Sequence, residues 1–385
     1  MDRSIKISKI ETINLKGSFG NGKYFGYGKY KVLGLVKVTT NKKISGLGEC
    51  LVGVYSPELL NINIKYILKF LKNKNLEETL TEIENLQKNK FFFDTGILKS
   101  VLSSLEIAIF DILSQINKCT LRDTFKFFFF KNKKVKNFVD IYASAGSIKS
   151  NLKDLHTEIK ISRKIGIDRF KARLDINNDV FKKKLEILNN ETEEFAVDLI
   201  TNTYEKNQNH KKLRNFLRQV EVYSPLWIEE ILNKDQLNLF FKINKKYNLK
   251  FSYGENFNSY YDFVNLLSIY KFDYINPDIS HLSLRNLVKL INYIKSNNLK
   301  KKIILHCWGG SINLFTSLSI AACAPDVIKL VEFPITDFSL NKYFIENASI
   351  KNSKFEFDDK IYSNSQTLKN IKNSNIKNKL TFHFN

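Results

Sequence analysis

Cysteine is scarce in this chain, and so are arginine and long apolar runs. The four cysteines among 385 residues, Cys50, Cys119, Cys307 and Cys323, have neither the paired spacing of a metal knuckle nor the density of a small disulfide-stapled fold. Reduced thiols in a cytoplasmic protein are the expectation. The start, Met1-Asp2-Arg3-Ser4-Ile5-Lys6, has no apolar signal core, and the longest aromatic run, Phe127 to Phe130, is far too short to span a bilayer. A soluble protein with no membrane partner follows. The formal net charge is +22 from 61 basic residues, yet only 8 of these are Arg and 53 are Lys. Arg is the better bidentate reader of phosphate and guanine. Lys occurs here beside many Asn, Ile and Phe, whose codons share its richness in A and T, so a biased genome accounts for the excess without selection for a polyanion. No nucleic-acid partner is expected; steering of an anionic substrate is the alternative use of the charge.

What is present is enough apolar material, 43% of the residues, for two domains and a large core. From Ile5 to about Val52 the apolar positions alternate as in strands, with Ile5, Ile7, Ile13 and Leu15 on one face, then a run from Leu33 to Val38 and Gly46-Leu47-Gly48-Glu49. This predicts an antiparallel meander. The long connection Gly17 to Tyr30, holding Lys23, Tyr24 and Tyr27, predicts a flap over a site, with those three as candidate substrate contacts. Pro57 to Ile116 turns helical in period, and a basic stretch from Lys131 to Asn137 separates it from a buried strand, Val139 to Ala143. The expected domains are residues 1–134, an α+β cap; residues 135–338, a repeating β/α unit; and a tail, residues 339–385, with weak periodicity.

The repeating part shows helical patterns after most of its apolar runs, over Leu152 to Ile165, His210 to Val220, Leu237 to Tyr247 and Leu284 to Ser296, and it carries polar residues at a steady beat. Lys171 with Arg173, Asp198, Glu229, Glu255, Asp278, His306 and Glu332 follow one another at gaps of 27, 31, 26, 23, 28 and 26 residues, by subtraction of their numbers. Most of them end a short apolar run, such as Phe195-Ala196-Val197 before Asp198 or Ile303-Ile304-Leu305 before His306. One strand plus one helix takes about that length, and in a (β/α) barrel the carboxyl ends of all strands converge on one face. One acid at a strand end is usually a helix cap or an ion-pair partner; the ladder makes it part of a site.

Three carboxylates from adjacent strand ends, Asp198, Glu229 and Glu255, suit a hard divalent cation such as Mg²⁺. Lys171 and Arg173, two apart, share a strand face. Asp278 and His306 end consecutive strands, where the carboxylate orients the imidazole and raises its basicity. Cation and base on opposite sides make a proton-abstraction site. Trp308 reads as packing at the pocket wall and, with Lys23, Tyr24 and Tyr27, as a candidate substrate contact, Cys307 as core filler, and His156, His210, His281 and His383 as surface or structural.

Together, Lys171-Ala172-Arg173, Asp198, Ile228-Glu229-Glu230, Gly254-Glu255-Asn256, Pro277-Asp278, His306-Cys307-Trp308-Gly309 and Val331-Glu332-Phe333 resemble the mandelate racemase/muconate lactonizing enzyme family of the enolase superfamily, in its mandelate-racemase-like subgroup. The resemblance extends from about Lys6 to Pro334. It implies a modified TIM barrel of the (β/α)7β type, with an α+β capping domain built from the N-terminal region and the C-terminal tail. By resemblance Asp198, Glu229 and Glu255 are Mg²⁺ ligands, Lys171 and Glu332 flank the substrate carboxylate, and His306 with Asp278 is a base. A Lys or His base with Mg²⁺ stabilising an enediolate is a known pattern of such sites. Glu332 is expected to be neutral, because burial among carboxylates raises its proton affinity.

The chain departs from the family at Arg173, which stands where a second basic lysine is usual, at Asp198-Leu199-Ile200 in place of Asp-x-Asn, and at Ile231 in place of Pro. A guanidinium is a poor proton acceptor. The expected activity is therefore a lyase reaction: dehydration of a hydroxy acid, a sugar acid foremost, to a 2-keto acid, by a homo-oligomer acting on a small carboxylate. A racemase or epimerase of a 2-hydroxy or amino acid is the alternative, and a noncatalytic binding relative a further one.

Overall fold

The chain opens with an antiparallel meander of three strands, β1 (Ile7–Ser18), β2 (Tyr30–Thr40) and β3 (Ser45–Cys50), as the alternating residues require. The structure is a computed structural model that describes residues 2–18, 30–89, 96–131, 134–145, 151–199, 210–300, 302–335, 340–358 and 375–383. After a single short turn of helix, Val52–Tyr55, the longer helices Pro57–Leu71, Leu76–Lys88 and Gly96–Ile116 form the expected helical layer. The second starts at a capping box in which Asn75 accepts from the Glu78 N–H while the Glu78 side chain accepts from the Asn75 N–H. The third is buried at every residue from Leu98 to Ser114, as suits a helix at the centre of a layer. Phe110 on it meets Phe125, Phe128 and Phe129 at ring distances of 5.6, 5.5 and 5.2 Å, so the aromatic run at residues 127–130 largely serves to pack the next helix, Leu121–Phe129.

Among the described residues, eight parallel strands then close into a barrel. They are β4 (Phe138–Ala145), β5 (Arg169–Arg173), β6 (Glu194–Asp198), β7 (Ile228–Glu229), β8 (Phe251–Tyr253), β9 (Tyr274–Ile275), β10 (Ile303–Leu305) and β11 (Ile328–Pro334), paired in sequence order and sealed by β11 on β4. Helices occupy the crossovers, among them Leu152–Lys164, His210–Glu221, Leu284–Ser296 and Ser311–Cys323. Where the sequence predicts a helix over Leu237 to Tyr247, the chain forms a 3₁₀ turn, Lys234–Leu239, and a short helix, Phe240–Asn244. Inside the barrel, Tyr142, Ala196, Trp227, Tyr274, Ile304 and Leu330 form an apolar layer. That layer is the floor beneath the strand ends.

The tail divides its strands between the two sheets. β12 (Ser349–Lys351) and β13 (Lys354–Glu356) form a hairpin turned on Asn352 and Ser353, with φ of 51° and 55°, and β13 pairs antiparallel with β4. β14 (Asn375–His383) pairs antiparallel with β1, so the N-terminal sheet includes the last strand of the chain. The four cysteines are free thiols. No helix among the described residues is long and apolar enough to cross a membrane.

Candidate active site

Period-two alternation along the strands places the chemistry. Lys171 and Arg173 on β5 point to the barrel axis while Phe170 and Ala172 between them pack outward, and both cations are buried. Asp198 ends β6, Glu229 ends β7 and Glu255 follows β8; one oxygen from each lies within 4.8 Å of the others, and all three are buried. Glu229 is fixed from three sides, by Lys171 Nζ at 2.5 Å, Trp227 Nε1 at 2.8 Å and Asn276 Nδ2 at 2.7 Å. The chain leaves β7 through Glu230, whose φ is 52°, and the Glu230 carboxylate accepts from the Gly254 and Glu255 N–H groups at 2.7 and 3.3 Å. Gly254 has a φ of 117° and a Cβ there would stand 2.7 Å from Phe263, so this turn requires glycine.

The opposite wall is the imidazole of His306. Its Nδ1 hydrogen-bonds Asp278 Oδ2 at 2.8 Å, and Asp278 Oδ1 accepts from the Ser280 N–H at 2.8 Å and its hydroxyl at 2.5 Å. The His306 Nε2 is left facing Glu255 Oε2 at 3.5 Å and Glu332 Oε2 at 3.7 Å. Glu332 also accepts from the Cys307 N–H at 3.2 Å and lies 3.4 Å from Lys171 Nζ. Arg173 Nε is 3.3 Å from Asp198 Oδ2.

Burial and charge oppose each other throughout. Burial raises the proton affinity of Glu255, and the Asp198 and Glu229 carboxylates add to it. Burial alone would lower His306, but Glu332, Glu255 and the bond to Asp278 reverse that and raise it to about 10. Burial likewise works against the charge on Lys171, yet Glu229 and Glu332 hold it well above the usual lysine range. Glu332 corrects the sequence expectation. Its burial favours the neutral acid, but Lys171, His306 and Arg173 outweigh that and keep it a carboxylate.

All eight residues of the ladder therefore meet at one end of the barrel. Trp308 is half-buried, with Lys31 Nζ 4.2 Å and the Arg173 guanidinium 5.4 Å from its ring centre. Lys23, Tyr24 and Tyr27 lie outside the described residues. His156 pairs with Glu191 at 2.6 Å near the surface, and His210 is exposed. The sequence reading gave no role to Trp227, Glu230, Asn276, Ser280, Lys31 or Glu49. Trp227 and Asn276 each stand two residues before a ladder position, where strand alternation puts a side chain on the same face.

The acidic cluster fits a hard cation on two grounds. Its donors are all carboxylate oxygens, and Glu255 Oε2 is buried yet takes part in no hydrogen bond. Residues 155–361 match the family model described as enolase C-terminal domain-like. No curated protein matches the chain. Similar solved structures include an enolase from the environmental genome shotgun sequencing of the Sargasso Sea, 20% identical over 99% of each chain with a TM-score of 0.79. The 3,6-anhydro-D-galactonate cycloisomerase of Zobellia galactanivorans is 17% identical over 95% of this chain and 99% of its own, with a TM-score of 0.75. The L-talarate dehydratase of Polaromonas sp. JS666, complexed with Mg and L-glucarate, is 13% identical over 99% of this chain and 100% of its own, also at 0.75.

Proposed function

Since the chain belongs to the enolase superfamily, in the enolase C-terminal domain-like family, we propose that it is a Mg²⁺-dependent dehydratase that converts a hydroxy acid, specifically a sugar acid, to a 2-keto acid. The observation that carries this reading is one base, the His306–Asp278 pair at 2.8 Å, facing a cluster of three carboxylates with a guanidinium on the other side. Mg²⁺ held by Asp198, Glu229 and Glu255 supplies the positive charge that offsets the second negative charge forming at the substrate carboxylate. The Lys171 ammonium, kept charged by Glu229 and Glu332, adds a preorganised cation on the same side.

His306 does both proton transfers. A cation on Glu255 would offset one of the carboxylates that keep the imidazole protonated, and the neutral Nε2 then takes the proton from the carbon next to the carboxylate, while the electron pair of that C–H bond becomes the enolate. The C–O bond at the neighbouring carbon then breaks, and the imidazolium gives its proton to the departing hydroxyl, which leaves as water. The enol that remains tautomerises to the 2-keto acid. The carboxylates of Glu332, Glu255 and Asp278 favour the protonated imidazole between these steps.

Racemisation needs a second proton acceptor on the far face. By the family resemblance Arg173 takes the place of that acceptor, and although burial works against its charge, the ion pair with Asp198 keeps the guanidinium protonated. The reaction is therefore one-sided. The test is a library of acid sugars incubated with the enzyme and Mg²⁺ in D₂O, with 2-keto acid and deuterium incorporation measured together. A keto acid from at least one sugar acid is expected. Substrate recovered as the epimer, with no keto acid, would overturn the dehydratase in favour of a racemase.

A further inference from the structure

Two charged side chains of the N-terminal sheet reach into the barrel and close on the turn that follows His306. Gly46 and Gly48 let β3 lie flush on the helix Gly96–Ile116: a Cβ on them would stand 2.0 Å from the Ala108 carbonyl oxygen and 1.7 Å from that of Ser104. This aims the fully buried Glu49 at residues 309–313. Its carboxylate accepts from the Gly310 N–H and, at 3.1 Å, from the Asn313 N–H, at the start of the helix Ser311–Cys323, where an anion is favoured. The turn is shaped to receive it, since a Cβ on Gly309 would lie 2.6 Å from Glu49 Oε1 and one on Gly310 2.7 Å from Leu33 Cδ1. From β2, the buried Lys31 donates to the Trp308 carbonyl, and the strongest charge acting on its ammonium is Glu49.

We propose that Lys31 and Glu49 are positioning residues of the active site. By gripping residues 308–310 from the capping sheet they fix the carboxyl end of β10, and with it the His306 imidazole against Asp278 and the Trp308 ring against Arg173. The site is then complete only when the N-terminal sheet is docked. Trp308 is two residues from His306, and misplacement of a reacting group by about 1 Å costs on the order of 10²-fold in rate. The inference rests on His306 as the base.

Lys31→Met and Glu49→Gln test it in the full chain with two readouts. The first is the split of the kinetic constants. Both variants are expected to lower kcat for keto-acid formation by about tenfold or more, with KM and Mg²⁺ affinity close to wild type, and Lys31→Arg is expected to restore most of the loss. A merely structural staple would lower the melting temperature and leave kcat of the folded enzyme unchanged, which would overturn the proposal. The second readout needs no substrate. The chain has two tryptophans, and Trp227 is fully buried, so acrylamide quenching follows Trp308, an assignment checked by Trp308→Phe. Quenching is expected to rise clearly in both variants; unchanged quenching in both would show that the turn is not held by these residues. If the wild type dehydrates no acid, the functional reading fails while the quenching result still decides the grip. If Glu49→Gln does not fold, Lys31→Met carries both readouts, because it leaves Glu49 on the helix.

Discussion

Both ends of the barrel interior carry more acids than cations, and only one end leaves them in reach of water. At the amino ends, Arg169 is shared between Glu194 at 2.7 Å and Asp140 at 3.4 Å, with side chains 24%, 41% and 30% exposed. At the carboxyl ends, Asp198, Glu229, Glu255, Asp278 and Glu332 face Lys171, Arg173 and His306, and none of these side chains is more than 9% exposed. Partly exposed pairs contribute little to stability. Buried carboxylates in excess over cations are costly unless further positive charge joins them. The same strands thus end in a solvated ion-pair cluster on one side and in a buried over-acidic pocket on the other, and the second supports the proposed site for a cation and a substrate.

The largest difference between the ends is expected in chemistry. His306→Asn should reduce keto-acid formation and deuterium exchange by about 10² to 10⁴-fold from the loss of the general base, measured below the variant's own melting transition. Near-native turnover would remove His306 from the mechanism and erase the functional contrast. Next comes the stability of the metal-free protein. Lys171→Met strips the buried ammonium from Glu229 and Glu332, which it meets at 2.5 and 3.4 Å, and should cost about 3 to 5 kcal/mol in urea unfolding, the usual loss when one partner of a buried pair is removed. A loss under about 1 kcal/mol, the level of an exposed pair, would mean that the two ends do not differ energetically.

Smaller again is the effect of the cation. At a concentration one hundred times its dissociation constant, Mg²⁺ should stabilise the wild type by about 3 kcal/mol. Glu255→Gln, which neutralises the residue whose Oε2 is buried without a hydrogen bond, should abolish that increment and raise the stability of the metal-free form. An undiminished Mg²⁺ response in Glu255→Gln would place the ion elsewhere.

How much of this was legible follows from distance along the chain. The ladder was readable because each member ends its own strand, so local apolar patterning and a steady spacing sufficed. The meander, the helical layer and the helix Leu284–Ser296 were readable for the same reason. The role of Lys31 and Glu49 was not, since they meet residues 308–313 only through docking of one sheet on another, and Gly46-Leu47-Gly48-Glu49 read as a strand within the family resemblance of the capping domain. The hairpin at residues 349–356 was hidden by its turn, Asn352-Ser353, which lacks the glycine that usually marks one. The charge of Glu332 was misread because burial is visible in a strand pattern while the nearness of Lys171, His306 and Arg173 is not.

The smallest effect is expected at the solvated end, and it is the control for the rest. Arg169 on β5 has the same parity as Lys171 and Arg173, so it points to the same axis, and substitution there changes the barrel interior without approaching the pocket. Its two acids retain access to water, so losing the guanidinium leaves no buried unpaired charge; the penalty is the small one of a partly exposed pair. Arg169→Met should cost about 1 kcal/mol or less, shrink further at high salt, and leave both the Mg²⁺ increment and turnover unchanged. Loss of several kcal/mol would mean that the amino end is as dependent on its cation as the carboxyl end, and burial of the excess charge would no longer distinguish the site from the scaffold.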